Sequence, residues 1–269
     1  MTLVVIGPVT NDLIIIGEEK SQKIGGAIYY QTFVFEKFYS DYIAVINTSD
    51  KNISKFFPSP KKVKTIIKDK THFFINNYYD PDNLDLREQL SNFVNIPILK
   101  TDLENILPDE IDAFVLNPLN RNDFPLETME YLKSFNVPIF LSVQGFLRCP
   151  DIKVNENYTI KLSNFHKLCD ILSGVDAIFL DEVENNIIGD SYDVSEKVIT
   201  DGSRGSRIVS DEEIKINAVE CEDIIDSTGC GDTFMAAYIS QRLKNKSIKY
   251  SADFASKIAS EKLKKFGHY

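Results

Sequence analysis

The stretch best equipped for chemistry is Asp226-Ser-Thr-Gly-Cys-Gly-Asp232, which runs straight into Thr-Phe-Met-Ala-Ala-Tyr. Gly229 and Gly231 permit tight or positive-φ backbone. The N–H groups that open the following helix then point outward, and the helix dipole adds partial positive charge. Such a turn is a ready anion site. Phosphoryl transfer needs one, because charge spreads over the transferring oxygens. Asp232 falls in the first turn of the helix. A carboxylate there serves as an N-terminal cap. It serves equally as an exposed base for a sugar or polyol hydroxyl beside the anion site.

Other polar groups sit just after short apolar runs. Asp12 closes Gly7-Pro-Val-Thr-Asn-Asp12, and Gly25-Gly26 precedes the helical run Ile28–Phe38. A carboxylate that accepts two hydroxyl protons reads a polyol well, although an Asp in a turn also bonds its own backbone. Val143-Gln-Gly-Phe-Leu-Arg148 offers Gln144, which can donate and accept toward hydroxyls. Its Arg148 brings a fork of donors for a polyol or a transferring phosphate, or else makes a surface ion pair. Asp181-Glu-Val-Glu184 and Thr200-Asp-Gly-Ser-Arg-Gly205 follow two further runs. Alone, the first reads as a solvated acidic face and the second as a plain hairpin turn.

The elements that must position these groups are legible from periodicity. The apolar runs Leu3–Gly7, Tyr42–Ile46, Ala113–Leu116, Ile139–Val143, Ala177–Leu180, Lys197–Thr200 and Arg207–Ser210 are too short for buried helices. They suit strands covered on both faces. Helical patterns intervene at Pro125–Phe135 and Lys161–Leu172, and two more close the chain at Asp232–Leu243 and Ser251–Phe266. Alternation of this kind implies an α/β fold with a doubly wound, mostly parallel sheet flanked by helices. Leu13–Ile24 and Lys64–Tyr79 lack a crossover between them and are rich in β-branched and aromatic residues. They are expected to project as a small β lid over the C-terminal ends of the main strands. The plainer alternative is a pair of edge hairpins.

A chain of 269 residues with 43% apolar and 26% charged residues is ordinary for a globular protein with a sizeable core. Its net charge of -10 argues against a general nucleic-acid or anionic-membrane binder, both of which need a basic face. Four cysteines without CxxC spacing and only three histidines argue against a structural zinc or a disulfide framework. The opening MTLVVIGPV reads as a first strand, and no run approaches a membrane span. The expected compartment is the reducing cytoplasm.

Asp-Ser-Thr-Gly-Cys-Gly-Asp232 followed by a small-residue helix closely resembles the D-T-x-G-A-G-D signature of the PfkB carbohydrate kinases, the ribokinase-like family. The resemblance implies one ribokinase-like domain over residues 1–269, with the small lid formed by about 13–24 and 64–79. It implies that Asp232 is the catalytic base and that Gly229, Cys230 and Gly231 supply the anion-hole N–H groups. Asp12, Gly25, Gly26, Gln144 and Arg148 would bind the acceptor. Thr200, Gly202, Gly205 and Asp226 would bind ATP, and Glu184, with Glu182 as the alternative, would act on Mg²⁺ through water. The V-Q-G-F-x-R segment and the GG-A-x-Y-Y opening are similar to the inositol-kinase-like branch of that family. Tyr30 stands where the family commonly has Asn, and Asp181 where it has Asn. The chain is somewhat short for the family, which suggests a reduced lid or a trimmed nucleotide flap.

The expected activity is therefore transfer of the γ-phosphoryl group of ATP to a hydroxyl of a sugar, a myo-inositol-like cyclitol or a related polyol. A nucleoside kinase and a catalytically silent ligand-binding protein of the same fold are the alternatives. Expected partners are small molecules, with no nucleic acid and no membrane, and an exposed lid face suits a homodimer. The chain lacks GxGxxG after its first strand and GxxxxGK[ST] anywhere, so a Rossmann dehydrogenase and a P-loop kinase fit poorly.

Overall fold

A computed structural model describes residues 2–79, 88–189, 192 and 194–269 of the chain. The N-terminal part runs β1 (Thr2–Pro8), β2 (Thr10–Ile16), β3 (Glu19–Gly25), α1 (Ala27–Phe38), β4 (Tyr42–Thr48), β5 (Val63–Ile67) and β6 (His72–Tyr78). The middle runs β7 (Glu88–Ser91), α2 (Lys100–Leu103), β8 (Ile111–Leu116), α3 (Leu126–Lys133), β9 (Ile139–Ser142), α4 (Gln144–Leu147), β10 (Arg148–Val154) and β11 (Asn157–Leu162). Then follow α5 (Leu168–Leu172), β12 (Ala177–Asp181), α6 (Glu182–Ile188), β13 (Glu196–Thr200), β14 (Ser206–Val209), β15 (Glu213–Ile216), α7 (Cys230–Arg242) and α8 (Ile248–Leu263).

Nine strands form the main sheet, in the order β15-β14-β13-β12-β9-β8-β1-β4-β5. Its pairs are parallel from β13 to β5, and β14 and β15 add an antiparallel edge. Successive residues of a strand point to opposite faces, and β1 shows the consequence. Leu3 and Val5 join one core with α1, α7 and α8, while Val4 and Ile6 join the other with α3 and α5. Each such side chain contributes roughly 1.5–3 kcal/mol when fully buried. Helix layers therefore cover both faces. The chain leaves β1 toward β4 on one side and returns to β8 on the other, so the strand order reverses at β1. A crevice opens beyond the strand C-termini at such a switch point.

A second sheet has six strands, in the order β10-β11-β7-β6-β2-β3. It departs from the sequence expectation in two ways. The segment 64–79 divides: β5 pairs with β4 in the main sheet, and only β6 joins β2 in the second sheet. The helix expected over Lys161–Leu172 is instead the end of β11 followed by the single turn α5. The apolar and β-branched residues Tyr158, Thr159, Ile160 and Leu162 meet a partner strand there, and pairing overrides the weak helical period. With β7, β10 and β11 added, the sheet is larger than the small lid expected. Among the described residues no helix is long and apolar enough to cross a membrane. All four cysteines are free thiols.

Candidate active site

Strand register decides which polar groups meet. Asp12 pairs with Phe74, and Asn76 pairs with Gln89. Alternate residues of a strand share a face, so Thr10, Asp12, Phe74, Asn76 and Gln89 all look the same way. They form one wall of a cavity of about 350 Å³. The opposite wall is the turn 227–232 at the start of α7. Leu119 after β8, Gln144 and Arg148 after β9, and Gly26, Ala27 and Tyr30 at the start of α1 close the rest.

Gly229 is the N-cap of α7 and has the left-handed φ of 77°. A Cβ there would lie 2.4 Å from the Tyr30 ring, so glycine is needed for both backbone and space. The turn is tied internally: Asp226 Oδ1 accepts the Thr228 N–H (2.8 Å), and the Cys230 N–H donates to Ser227 O (3.2 Å). One of the N–H groups expected in the anion hole therefore also closes the turn. Asp232 follows in the first helical turn, half-buried and lining the cavity. Burial pushes the Cys230 thiol up to about 11, which keeps it protonated and poorly nucleophilic.

Asp226 itself does not line the cavity. Its Oδ2 accepts the Gly267 N–H at 2.9 Å, with Lys23 Nζ at 3.6 Å and the fully buried Lys262 Nζ at 3.8 Å. Burial works to raise its pKa, but the Gly267 N–H, the Lys23 charge and Thr228 outweigh it, and the carboxyl stays below the ordinary range. It thus clamps the anion turn to α8, the C-terminal tail and β3.

On the acceptor side, Gly25 is packed so closely that a Cβ would fall 2.2 Å from Asp12 Oδ2 and 2.5 Å from Thr10 Oγ1. Arg148 is 8% exposed; its guanidinium lies 5.2 Å over the Phe74 ring, and Nη2 donates to Gln89 Oε1 at 3.4 Å. Gln89 Nε2 in turn donates to Asn76 Oδ1 at 2.8 Å. Behind them lies Glu184, 3% exposed. Its Oε2 accepts the Asp181 N–H at 3.0 Å, while Asp181 Oδ1 accepts the Glu184 N–H at 2.8 Å, a reciprocal cap of α6. Burial pushes the Glu184 carboxyl up to about 7, and Asp181 adds to the rise; the Asp181 N–H, Arg148 and a Gln144 hydrogen bond pull the other way.

Of the residues singled out from sequence, Asp12, Gly26, Gln144, Arg148, Gly229, Cys230, Gly231 and Asp232 share the cavity lining. Gly25 supports it from behind. Thr200, Gly202, Gly205 and Glu184 lie outside the lining, at the same strand ends: Thr200 is the direct partner of Asp181. Among the described residues no three ligand-type side chains converge as a metal site. Sequence reasoning missed Thr10, Phe74, Asn76, Gln89 and Leu119. A partial signal existed in the strand His72-Phe-Phe-Ile-Asn-Asn-Tyr78, where period-two alternation puts Phe74 and Asn76 on one face.

Comparison with known proteins agrees with this architecture. The pfkB family carbohydrate kinase profile matches residues 165–269. A nucleoside kinase of Methanothermobacter thermautotrophicus is 35% identical over 98 residues, which is 35% of this chain and 31% of that protein. Among solved structures, a pyrophosphate-dependent kinase in the ribokinase family, complexed with a pyrophosphate analog and myo-inositol, superposes with a TM-score of 0.84 at 20% identity, covering 99% of this chain and 97% of the other. The Arabidopsis thaliana ribokinase complexed with ribose and ATP gives 0.73 at 18% identity, with 99% and 94% covered. The fold is ribokinase-like, with a pfkB-type C-terminal portion.

Proposed function

We propose that this protein is a kinase that transfers the γ-phosphoryl group of ATP to a hydroxyl of a polyhydroxylated ring, a sugar or a myo-inositol-like cyclitol. One observation carries the reading: Asp12, Gln144 and Arg148 face the same cavity of about 350 Å³ as the Gly229–Asp232 helix start. An acceptor held by the first group presents a hydroxyl to the second. Asp232 takes the hydroxyl proton as the oxygen forms its bond to phosphorus and the bond to the leaving phosphate breaks. The free N–H groups and dipole of α7 stabilise charge on the transferring oxygens.

A bound Mg²⁺ would neutralise charge on the donor phosphates. Glu184, buried and with its carboxylate bonded to the Asp181 N–H and to Gln144, would reach it through water. That suits an ion which keeps several waters and few protein ligands. Thr200, Gly202 and Gly205 would lie along the donor, beside Glu184, and the second sheet would act as a lid over the acceptor.

The density of polar groups on the acceptor wall favours a polyol. Asp12, Asn76, Gln89, Gln144 and Arg148 can address several hydroxyls at once. The myo-inositol found in a neighbour of the same fold supports this choice. A nucleoside acceptor is the second reading, favoured by the matched stretch of the nucleoside kinase. The test offers myo-inositol, ribose, fructose and adenosine to the purified chain with Mg²⁺ and either ATP or pyrophosphate, and follows products by phosphorus NMR. Phosphorylated inositol or sugar with ATP is expected, and Asp232→Asn should lower kcat by about two to four orders of magnitude. Product from adenosine alone overturns the acceptor, product from pyrophosphate alone overturns the donor, and a near wild-type Asp232→Asn overturns the base.

A further inference from the structure

Tyr30 is 3% exposed and lines the cavity, yet its hydroxyl has no hydrogen-bond partner in the protein. Leaving a buried hydroxyl unsatisfied costs about 1–3 kcal/mol, so such an atom in a site wall calls for an explanation. The ring is firmly held. It packs edge-on against Tyr29, with centroids 5.7 Å apart, and it fills the space that a Cβ at Gly229 would need. Helix α1 beneath it is pinned by Gln31, whose Nε2 donates to Asn117 Oδ1 while Asn117 Nδ2 donates back to Gln31 Oε1, both at 2.8 Å. The hydroxyl is therefore positioned by packing rather than by a bond of its own.

Two carboxylates, Asp12 and Asp232, line the same cavity, and carboxylates only accept. A ligand hydroxyl that gives its proton to one of them still has lone pairs to serve. Arg148 and the amides of Asn76, Gln89 and Gln144 are donors elsewhere on the lining, and the Tyr30 phenol is a donor on α1 beside the anion turn. We propose that the Tyr30 phenol donates to an oxygen of the acceptor polyol from that side. The inference rests on the kinase reading and names a specificity-determining residue within it. Burial, with the charges of Asp12, Asp226 and Asp232, holds the phenol pKa far above its usual value, so the group stays a donor and leaves the role of base to Asp232. Thr10, 2% exposed and likewise without a partner for its hydroxyl, stands beside Asp12 on the same wall and can complete the set.

Tyr30→Phe tests this, because it removes one oxygen and keeps the ring. Thermal unfolding is measured without ligand and with myo-inositol, ribose or adenosine alone, and steady-state kinetics follow with donor present. Without ligand the variant should unfold at the same temperature or higher, since a buried unpartnered hydroxyl has gone. The shift produced by the acceptor should shrink, and the acceptor KM should rise about tenfold, the worth of one hydrogen bond. The donor KM should stay as it was. Equal acceptor shifts and acceptor KM values in variant and wild type overturn the proposal, as does an effect confined to the donor KM. A wild-type chain that binds one of these compounds without transferring phosphate overturns the kinase reading alone, because the two binding shifts still report on Tyr30. A wild-type chain shifted by none of them and transferring to none overturns both.

Discussion

Glu184 is a carboxyl whose protonation is strongly shaped by its surroundings. Its carboxyl is carried from the ordinary value to about 7, chiefly by burial. A carboxyl raised in this way holds its proton longer in the folded than in the unfolded chain. The folded state therefore binds more protons between about pH 4.5 and 7, and stability contributed by this group falls as pH rises through that window. Glu184→Gln keeps an acceptor for the Asp181 N–H and removes the titration. The unfolding temperature of the variant minus that of the wild type should grow as pH is taken from 5 to 8. A flat difference would show that Glu184 ionises normally. The same residue illustrates what a motif conceals: the family resemblance implies a Mg²⁺ role for Glu184, and in the fold Asp181 and Glu184 cap α6 reciprocally.

Among the elements, α1, β8 and α7 must hold register for Tyr30 to meet Gly229. The buried pair Gln31–Asn117 joins α1 to the end of β8, and Gln31 Nε2 also reaches Met235 Sδ on α7 at 3.3 Å. Each amide answers both groups of the other, so removing one leaves two buried polar atoms unpaired. Gln31→Leu should cost about 1–3 kcal/mol by urea unfolding. The double variant Gln31→Leu with Asn117→Leu should recover part of that loss, because no unpaired amide remains. A double variant whose loss is the sum of the two single losses would mean that the pair is not coupled. Element existence was largely legible here: α1, α3, α7 and α8 fall within a few residues of their sequence ranges. The failures at 64–79 and 161–172 share a cause. Strand identity does not say which sheet a strand joins, and a short amphipathic run becomes a strand when a partner edge is waiting.

At the scale of the molecule, the cavity has one wall from each sheet. Leu119 and Gln144 follow the ends of main-sheet strands, and the second sheet brings Asp12, Phe74, Asn76, Gln89 and, at the start of β10, Arg148. A ligand that touches both should couple them. If the second sheet closes as a lid, adding the acceptor should slow amide exchange along residues 10–16 and 72–78 as well as at the start of α7. Protection confined to residues 227–233 would mean that the second sheet is a fixed wall and not a lid.

The sequence by itself determined the anion turn. Glycine at 229 and 231 and a carboxylate at 232 act through local backbone geometry, and local geometry is written in adjacent residues. It also determined the layered α/β architecture, because burial on two faces leaves unbroken apolar runs. Only the tertiary structure decided that Asn76 and Gln89 face Asp12, since that depends on strand register between segments far apart in the chain. Only it gave Asp226 its clamp of Lys23, Lys262 and Gly267, and only it left the Tyr30 hydroxyl buried in the cavity wall without a protein partner. Those are properties of distances between elements, and no pattern along the chain encodes a distance that packing alone sets.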